Sequence, residues 1–567
     1  MSRAAQTLVD ILRRRAAERP ADRVYVFVSD KGEEEAALTY AELFGLSEAV
    51  AARLRAKAEG GERALLLFPA GLDFLVAFFA CLRAGIIAVP MMLPRRRSAR
   101  DASANIVADC APRLALTTSA LLTGARADLP QRISGLDWIA VDEVVPDPTA
   151  DAGPLPGPDD IAFLQYTSGS TSAPKGVVVS HANLIANSEM IHLMCDTSRT
   201  SPFATWIPLY HDMGLILNAL QAVYVGAFCV LLAPVTFMQR PLTWLRAISD
   251  YRAEVAGGPN FAFDLCNARI RPEQMAGIDL SSWRVAFVGG EPVRAETMDR
   301  FIETFTPFGF PPPTLRPGYG MAEATLLLSG TAPGTGPVIR PVSRAALQQD
   351  RIAPPRDGRD VQRCVSVGRG TVGERVAIVD PEAQQRLAPD RIGEVWIAGP
   401  HVARGYWRNP EATEETFRGI IPGEDGTRWL RTGDLGFTDT AGEIYITGRI
   451  KDLIIIRGVN HYPQDIEETV QDSHPALQRH GGAAFGTIDE QGEERLVIVQ
   501  EVERIERRNI VPRDLIGRIR EAVTAGHDVA PWRIVLIRPG SLPKTTSGKI
   551  QRSLTRELWQ DGALPEL

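Results

Sequence analysis

Four of the six lysines in this sequence lie in three short segments that contain glycine. The segments cover residues 164–176, 448–460 and 542–550, whereas the whole chain contains 56 arginines. Lysine carries a compact point charge, while the arginine guanidinium is planar and delocalised. Positions that keep lysine in so arginine-rich a chain are therefore candidates for chemistry that needs a single, mobile positive charge.

The first of these segments predicts a phosphate-binding loop. Residues 165–176 read QYTSGSTSAPKG, a strand that runs into hydroxyl and glycine residues whose N–H and O–H groups can surround a polyphosphate. The segment is not a Walker loop, because Gly176 follows Lys175 instead of preceding it. An ordinary surface loop rich in Ser, Thr and Gly is the alternative for this segment on its own.

Two further segments carry side chains that suit a nucleotide. In residues 316–325, RPGYGMAEAT, glycines on both sides of Tyr319 allow a flat ring to approach, and Glu323 offers an oxygen ligand for Mg²⁺. In residues 431–437, RTGDLGF, Asp434 lies in a glycine-flanked turn where it could accept hydrogen bonds from a ribose diol. Taken singly, the first segment is also compatible with a strand-end turn whose glutamate is solvated.

The last lysine segment lies near the carboxyl terminus. Residues 542–552 read LPKTTSGKIQR and place Lys549 on a Gly/Ser turn just before a predicted helix, from which it could reach into a neighbouring active site. The alternative is a solvated lysine at a helix start, where the helix dipole slightly disfavours a cation.

Several other enzyme classes have no support in the motifs. Residues 368–373 match G-x-G-x-x-G, but the ERVAIVD that follows alternates like a strand, whereas the dinucleotide fingerprint requires a helix. Neither G-x-S-x-G nor H-E-x-x-H occurs, and the adjacent His211 and Asp212 do not fit the H-x-x-x-D pattern of acyltransferases. The sequence therefore favours neither a hydrolase nor a zinc protease.

Length and composition describe an ordinary globular protein of several structural units. The 567 residues predict about three to four units, and 45% hydrophobic with 23% charged residues exclude wholesale disorder. The net charge of −7 argues against nucleic acid as the main partner. The six cysteines include no C-x-x-C pair, and the longest clean apolar stretch, 74–82, is too short to span a membrane. With no signal-peptide pattern at the N-terminus, these features predict a cytoplasmic protein.

The order of predicted elements indicates an α/β fold with a second, smaller domain. Strand-like runs alternate with helical patterns up to about residue 447, with Ser180 as a predicted N-cap and a helix predicted over 291–305. From residue 448 onwards, mixed strands and helices predict an α+β domain. Predicted strands there cover 453–456, 482–485, 495–502 and 533–537, and predicted helices begin at Pro463 and cover 513–525 and 550–558. The predicted division is 1–447, a boundary at 448–453, and 454–567.

Taken together and in this order, the segments resemble the adenylate-forming superfamily of acyl-CoA synthetases, luciferases and peptide-synthetase adenylation domains. Within it, the chain is most similar to the fatty acyl-AMP ligases, on the phrases LQYTSGSTSAPKGVVVSHANL, PLYHDMGL, YGMAEATLLLSG and GVNHYPQDIE. A polar stretch at about 331–363 falls where those ligases carry an insertion. The resemblance implies a large multi-subdomain α/β body with a small mobile C-terminal domain. It also implies ATP- and Mg²⁺-dependent activation of a fatty acid to acyl-adenylate, with transfer to an acyl carrier protein of a lipid, polyketide or peptide assembly line.

The resemblance further implies roles for individual residues. Lys549 would bridge the carboxylate and the α-phosphate, Glu323 would bind Mg²⁺, and Lys451 would be the hinge. ATP would be bound by Thr167, Ser168, Gly169, Ser170, Thr171 and Lys175 at its phosphates, by Gly289, Gly290, Glu291, Gly318, Tyr319, Gly320 and Met321 at adenine, and by Asp434 and Arg449 at the ribose. The acyl group would lie near His211, Asp212 and the aromatic residues Trp206, Phe261 and Phe263.

Two alternatives stay open at this point. The nearer one is a medium- or long-chain acyl-CoA synthetase, and the other is an inactive nucleotide-binding homologue. In the fatty acyl-AMP ligases the insertion disfavours the pose that accepts coenzyme A, whereas this sequence on its own shows only a polar insertion.

Overall fold

The computed structural model describes residues 6–94, 103–124, 133, 135–146, 152–167, 174–506, 510–545 and 548–567. Its strands are β1 (Arg23–Val28), β2 (Glu34–Thr39), β3 (Arg63–Leu66), β4 (Ile87–Pro90), β5 (Leu114–Thr117), β6 (Asp137–Ala140), β7 (Ile161–Thr167), β8 (Lys175–Ser180), β9 (Phe203–Thr205), β10 (Cys229–Leu232), β11 (Val255–Gly258), β12 (Val285–Val288), β13 (Leu315–Gly320), β14 (Leu327–Gly330), β15 (Ile339–Ser343), β16 (Val361–Val365), β17 (Arg369–Gly370), β18 (Arg375–Val379), β19 (Gly393–Ala398), β20 (Leu430–Thr438), β21 (Ile444–Arg449), β22 (Ile454–Ile456), β23 (Val459–His461), β24 (Leu477–Ile488), β25 (Glu494–Val502) and β26 (Arg533–Ile537).

Its α-helices are α1 (Leu8–Glu18), α2 (Tyr40–Arg55), α3 (Asp73–Ala84), α4 (Ser103–Cys110), α5 (Ser119–Thr123), α6 (His181–Cys195), α7 (Gln221–Val225), α8 (Pro234–Gln239), α9 (Leu242–Asp250), α10 (Asn260–Arg269), α11 (Ala295–Phe305), α12 (Arg344–Leu347), α13 (Pro410–Phe417), α14 (Pro463–Asp472), α15 (Pro512–His527) and α16 (Arg552–Gln560). A π-helix over Met213–Leu220 precedes α7. The arrangement is the mixed α/β fold that the sequence predicts.

Two large sheets form the body of the molecule. One has nine strands in the order β17-β14-β13-β12-β11-β9-β10-β1-β2, and the other has six in the order β6-β5-β3-β4-β7-β8. The strands from β13 to β1 in the first sheet run parallel, with short apolar sequences such as VAFV in β12. Parallel strands of this kind are buried on both faces by helices. A four-stranded antiparallel sheet, β18-β19-β20-β21, completes the body.

The C-terminal domain has a core of its own. Its sheet, β24-β25-β26, packs against α14 and α15 through an apolar cluster that includes Ile466, Ile498 and Ile519. A second cluster joins the other side of the sheet to the chain terminus through Phe485, Val497 and Leu564. Both clusters consist of residues from Ile454 onwards, so this domain is stabilised by its own apolar contacts.

The polar stretch near 331–363 is ordered between the body and the C-terminal domain. It contributes the helix α12 together with β15 and most of β16. The two strands pair as a two-stranded antiparallel sheet. Arg344 Nη1 donates to the carbonyl oxygen of Gly526 at 3.1 Å, and Asn460 Nδ2 donates to Asp350 Oδ2 at 2.9 Å. The insertion therefore contacts the C-terminal domain through polar groups.

Most of the predicted elements are confirmed, with differences at their ends. β26 covers the predicted 533–537, and Ser180 caps α6 by accepting a hydrogen bond from the Asn183 N–H. The helix predicted over 291–305 begins only at Ala295, because Gly290 has a φ of +79° and Glu291 is used in the turn before the helix. The helix predicted over 550–558 begins at Arg552, since Ile550 still pairs with Lys544 as an extended residue.

The apolar stretch of residues 74–82 forms part of α3, whose side chains are buried in the body. None of the described helices has the length and the apolar character needed to cross a lipid bilayer. All six cysteines are free thiols, and five of them are buried, while Cys364 is partly exposed.

Candidate active site

The candidate residues gather where four parallel strands of the nine-stranded sheet end. β9 ends before Trp206, β11 before Phe261, β12 before the turn at 289–291, and β13 at Gly320. The carboxyl ends of parallel strands meet at one edge of a sheet, and open α/β sheets bind their ligands there. The fold thus brings segments that are more than 100 residues apart in sequence to one edge.

The turn after β12 requires glycine. A Cβ on Gly289 would lie 2.7 Å from the carbonyl oxygen of Gly318, and Gly290 has a φ of +79°, a region that favours glycine. The turn then presents Glu291, whose Oε1 accepts a hydrogen bond of 2.6 Å from the N–H of Phe261. The strand-end turns after β11 and β12 are therefore tied together beside β13.

Asp434 is the centre of a three-residue network on the floor of this site. Its Oδ2 accepts a hydrogen bond of 2.5 Å from the Tyr319 hydroxyl, and its Oδ1 accepts one of 2.9 Å from Arg449 Nε. The pairing of β20 with β21 places Asp434 directly opposite Arg449. The Asp434 side chain is only 6% exposed, so both of its oxygens are satisfied by neighbours inside the protein.

The electrostatics of this network keep its members in fixed protonation states. Burial and the adjacent Asp434 carboxylate raise the pKa of Tyr319 well above its ordinary value, so the phenol remains a donor. The same carboxylate raises the pKa of Arg449, although burial opposes the shift. The neutral Tyr319 ring suits the uncharged base of a nucleotide. The Asp434 carboxylate and the Arg449 guanidinium beside it suit the ribose hydroxyls.

A second network joins Glu323 to Lys175 through Tyr406. The Tyr406 hydroxyl donates to Glu323 Oε1 at 2.8 Å, and Lys175 Nζ lies 4.7 Å from the centre of the Tyr406 ring. Burial and the Glu323 carboxylate raise the pKa of Tyr406, which keeps its hydroxyl protonated. The tyrosine thus fixes one carboxylate oxygen and places a cation against its ring face.

Residues 404–407 hold Tyr406 in place by extending the edge of β8. The N–H of Val178 donates to the carbonyl oxygen of Gly405 at 2.9 Å, and the N–H of Trp407 donates to that of Gly176 at 2.7 Å. Sequence reasoning missed Tyr406, which lies 83 residues from Glu323 and 231 from Lys175. The glycine and the two aromatic residues in RGYW were the one local signal for this segment.

The predicted phosphate loop is only partly described. Thr167 ends β7 and pairs with Lys175 at the start of β8, so the two strands form the base of the loop. Ser168, Gly169, Ser170 and Thr171 lie outside the described residues. The loop's base is linked to the segment that carries His211, because Gln165 Nε2 donates to the carbonyl oxygen of Tyr210 at 3.1 Å.

The aromatic candidates belong to one series of ring contacts that runs from Phe261 through Trp206 and Trp244 to Phe263. Trp206 stacks on Phe237 with ring centres 3.9 Å apart and meets the edge of Phe261 at 5.9 Å. Phe263 is 1% exposed and packs in the interior against Trp244 and Phe301. Trp206 is itself only 3% exposed and also contacts Trp244, so burial does not separate the two rings, and a role of either beside the acyl group stays a prediction.

His211 and Asp212 form a pair at the start of the π-helix. Asp212 Oδ1 lies 2.7 Å from His211 Nδ1 and also accepts a hydrogen bond of 2.7 Å from the N–H of Met213. Burial alone would raise the pKa of Asp212, but His211, Lys549 and the Met213 N–H lower it. Asp212 is thus a carboxylate that faces the C-terminal lysine.

Lys549 reaches this site from the C-terminal domain. Its ammonium group interacts with Asp212, Glu291 and Asp434, which favour its charged form, while burial and Arg449 oppose that form more strongly and lower its pKa. The turn that carries it is closed by hydrogen bonds to Thr545, and a Cβ on the adjacent Gly548 would lie 3.7 Å from the Phe261 ring. The C-terminal domain therefore brings an ammonium group within electrostatic range of three carboxylates of the body.

Arg552 anchors the Lys549 turn within its own domain. Its Nε and Nη2 both bind Glu467 at 2.7 Å, and its Nη1 binds Asp452 at 2.9 Å. Asp452 belongs to a short 3₁₀-helix, Ile450–Asp452, that also contains the exposed Lys451. This bidentate contact is of the strong, geometrically specific kind, and it links the turn to the predicted hinge.

The described residues include no cluster of three or more His, Cys, Asp or Glu side chains that could hold a metal ion. Glu323 is 9% exposed and has one oxygen engaged by Tyr406. Mg²⁺ usually takes only one or two carboxylates together with substrate phosphates and water. A single carboxylate next to Lys175 therefore fits a magnesium ion that is carried by a polyphosphate, and does not fit a site formed by protein ligands alone.

Comparisons with known proteins agree with this geometry. A model of the AMP-binding enzyme family matches residues 12–407, and one of the AMP domain of Disco-interacting protein 2-like proteins matches residues 451–567. The chain is 42% identical over 573 residues to the medium-chain-fatty-acid–[acyl-carrier-protein] ligase JamA of Moorena producens, which covers 99% of this chain and 96% of that protein.

Solved structures extend the similarity to three dimensions. A fatty acyl-adenylate ligase from L. pneumophila, crystallised with acyl adenylate and pyrophosphate, is 38% identical, with a TM-score of 0.75 over 99% of this chain and 97% of that chain. A structure from work on fatty acyl-adenylate ligases of E. coli and L. pneumophila is 32% identical, with a TM-score of 0.88 over 99% of this chain and 98% of that one. The resemblance inferred from the sequence segments is confirmed.

Proposed function

The chain belongs to the AMP-binding enzyme family, and we propose that it activates a fatty acid to acyl-adenylate and then transfers the acyl group to a carrier-protein thiol. The observation that carries the proposal is the position of the Lys549 turn, since Gly548 lies against Phe261 of the body and the Lys549 ammonium group interacts electrostatically with Asp212, Glu291 and Asp434. Relatives that are named as fatty-acid–carrier-protein ligases and fatty acyl-adenylate ligases support the substrate and the acceptor.

In the first step, a carboxylate oxygen of the fatty acid attacks the α-phosphorus of ATP. The new bond joins acyl oxygen to phosphorus, the bond to the β-phosphate oxygen breaks, and pyrophosphate leaves with the electron pair. Negative charge develops on the α-phosphate oxygens and the leaving group, so a group that supplies positive charge there lowers the barrier. We propose that Lys549 supplies this charge at the α-phosphate and the carboxylate, and that Lys175 supplies it at the β- and γ-phosphates.

The remaining networks bind and orient the nucleotide. Tyr319 and the turn at 289–291 would hold adenine, and Asp434 with Arg449 would hold the ribose. Glu323, oriented by Tyr406, would hold Mg²⁺ on the phosphates. When bound, that ion would neutralise phosphate charge.

In the second step, the thiolate of the phosphopantetheine arm attacks the acyl carbon. The new bond joins sulfur to carbon, the bond from carbon to the phosphate oxygen breaks, and AMP leaves. We propose residues 448–453, with the exposed Lys451, as the hinge between a body of residues 1–447 and a lid of residues 454–567. The separate apolar clusters from Ile454 onwards support that division.

We also propose a carrier protein rather than coenzyme A as the acceptor, supplied to a lipid, polyketide or peptide assembly line in the cytoplasm. The contacts of Arg344 and Asp350 with the C-terminal domain support an insertion that restrains this domain. Deleting about residues 335–362 should therefore raise thioester formation with coenzyme A, and no gain would contradict this role for the insertion.

The test of the proposed function is fatty-acid-dependent ATP–pyrophosphate exchange across saturated acids of increasing length. It is followed by thioester formation with phosphopantetheinylated carrier protein or with coenzyme A. We expect exchange with a limited range of acids and thioester on the carrier protein. Absence of exchange with every acid would refute the proposed activity. Robust thioester formation with coenzyme A when no carrier protein is present would identify an acyl-CoA synthetase.

A further inference from the structure

The C-terminal domain contacts the large body at a further place, apart from the Lys549 turn and the insertion, which the proposed reaction does not use. Asp264, on α10 of the body, accepts hydrogen bonds from Thr297 Oγ1 and Arg300 Nη2 of α11, both at 3.0 Å, and from Asn260 Nδ2 at 3.2 Å. A further donor comes from the other domain, because His480 Nε2 lies 3.1 Å from Asp264 Oδ2. A carboxylate can only accept, so the imidazole N–H is the donor.

Asp264 is held by side chains of its own body as well as by His480. Its side chain is 10% exposed, and although burial would raise its pKa, His480, Thr297 and Arg300 lower it. Hydrogen bonds from Thr297 and Arg300 of α11 therefore hold the carboxylate in one orientation in addition to its contact with His480. Such a preorganised acceptor loses little entropy when a donor docks on it.

His480 is held by its own domain in a conformation that directs it at the body. The pairing of β24 with β25 is irregular between Leu477 and Gly482, and His480 has a φ of +54°. This left-handed conformation is uncommon for residues other than glycine and persists where the surroundings fix it. Here the N–H of His480 donates to Gln471 Oε1 of α14 at 2.8 Å.

A second polar pair lies next to the first. Arg294, the residue before α11, has its Nη1 at 3.2 Å from Glu468 Oε1 of α14. Both side chains are largely shielded from solvent, so this pair is screened less than an exposed one. The C-terminal domain therefore docks on the start of α11 and on α10 through two charged contacts.

One helix connects these contacts to the active site. Phe261, which lies beside Gly548 and the Lys549 turn, is on α10 three residues before Asp264. Three residues of helix correspond to a rise of about 4.5 Å. Because His480 and Lys549 belong to one domain and Asp264 and Phe261 to one helix, a rigid-body movement of the C-terminal domain that separates His480 from Asp264 also shifts the Lys549 turn relative to Phe261.

We propose that His480 and Asp264 form a docking latch that holds the C-terminal domain in the pose in which Lys549 enters the nucleotide pocket. The proposal rests on the proposed function. His480 is a positioning residue, which touches neither ATP nor the fatty acid and acts through Lys549. The latch must open whenever the C-terminal domain leaves the body.

The first experiment compares H480A and H480Q with the parent in fatty-acid-dependent ATP–pyrophosphate exchange. We expect H480A to lower kcat about tenfold, which corresponds to a loss of about 1.4 kcal/mol, with the KM for ATP unchanged. Glutamine can donate from its amide to Asp264, so H480Q should recover most of the rate. The matched control is R479A, because the neighbouring Arg479 pairs with Asp472 inside its own domain.

The second experiment is a double-mutant cycle with D264N. If the two side chains act through their mutual contact, H480A should cost much less in the D264N background than in the parent. A parent without exchange activity would refute the proposed function itself. With an active parent, the latch would be overturned if H480A were as fast as the parent or if H480Q were as slow as H480A. It would also be overturned if R479A were as slow as H480A, or if the effects of H480A and D264N were strictly additive.

Discussion

The floor of the nucleotide pocket, formed by Tyr319, Asp434 and Arg449, differs from the contact between the two domains in where its polar groups have their partners. On the floor, Asp434 satisfies both of its oxygens with Tyr319 of β13 and Arg449 at the end of β21, both of which precede the C-terminal domain. At the domain contact, the charged or polar ends of Lys549, His480 and Glu468 interact with groups across the boundary.

This difference separates two kinds of kinetic effect. Groups of the floor are paired before ATP arrives, so changes there should affect nucleotide affinity. Groups at the domain contact are effective only when the C-terminal domain is docked, so changes there should lower kcat and leave the KM for ATP nearly unchanged.

The largest effect should come from removing the cation that crosses the boundary. We expect K549A to lower adenylate formation by about 10²- to 10³-fold, the usual cost of one charge-stabilising contact, with little change in the KM for ATP. Rapid-quench measurement of acyl-adenylate gives both values. K544A, five residues earlier on an exposed position, is the control and should be close to the parent.

A change on the floor should give the opposite pattern. D434N removes the charge beside Arg449 and disturbs the acceptor of the Tyr319 hydroxyl, and hydrogen bonds to charged groups contribute about 1.5–3 kcal/mol. We therefore expect the KM for ATP to rise by about tenfold or more, with a smaller effect on kcat. An unchanged KM together with a reduced kcat would contradict the distinction between the two regions.

Changes at Tyr406 should have an intermediate effect on the exchange rate, in which the contributions of its hydroxyl and its ring can be separated. Y406F removes the hydrogen bond to Glu323 but keeps the ring against Lys175, so we expect a loss of about fivefold in exchange rate, since one hydrogen bond contributes about 1 kcal/mol. Y406A removes both contacts and should be slower. The concentration of Mg²⁺ needed for half-maximal rate should rise in both variants, and equal values in Y406F and the parent would contradict the role of this hydroxyl in orienting Glu323.

The smallest effect concerns stability at the domain contact. Burial and the neighbouring Glu468 raise the pKa of Asp465 to about 7, although Arg344 and Arg294 oppose the shift. The folded protein therefore holds a proton on Asp465 that the unfolded chain releases between about pH 4 and pH 7, so this group lowers the free energy of unfolding as the pH rises through that range.

D465N, which cannot ionise, should consequently unfold at a higher temperature than the parent at pH 8, by on the order of 2 °C, and at nearly the same temperature at pH 4. Thermal unfolding at the two pH values measures the difference. E490Q, at an exposed carboxylate, is the control. A larger difference at pH 4 than at pH 8 would contradict the assigned pKa.

The sequence predicted those features of the fold that depend on local chemistry. The hydroxyl of Ser180 identified a helix start, and the alternation of ERVAIVD identified β18 and excluded a dinucleotide-binding helix. The start of α11 was predicted one turn too early, because the sequence does not show that Glu291 turns back to the N–H of Phe261.

The contacts that sequence reasoning missed join residues far apart in the chain. Tyr406 meets Lys175 through the edge of β8, and His480 meets Asp264 over a separation of 216 residues. No periodicity or spacing encodes such pairs, since they depend on how the sheets and the two domains pack. The ring contacts of Phe263 with Trp244 and Phe301 are of the same long-range kind and could not be predicted from the sequence.

The central claim is that a single ammonium group, delivered by the C-terminal domain, completes the pocket of the body. Its most direct test is chemical restoration of that group in K549C by aminoethylation of the thiol, with the parent protein treated in parallel. We predict that K549C forms almost no acyl-adenylate and that the treated variant regains at least about a tenth of the parent's rate, because most of the contact is restored. A K549C protein that forms acyl-adenylate as fast as the parent before treatment would contradict the claim.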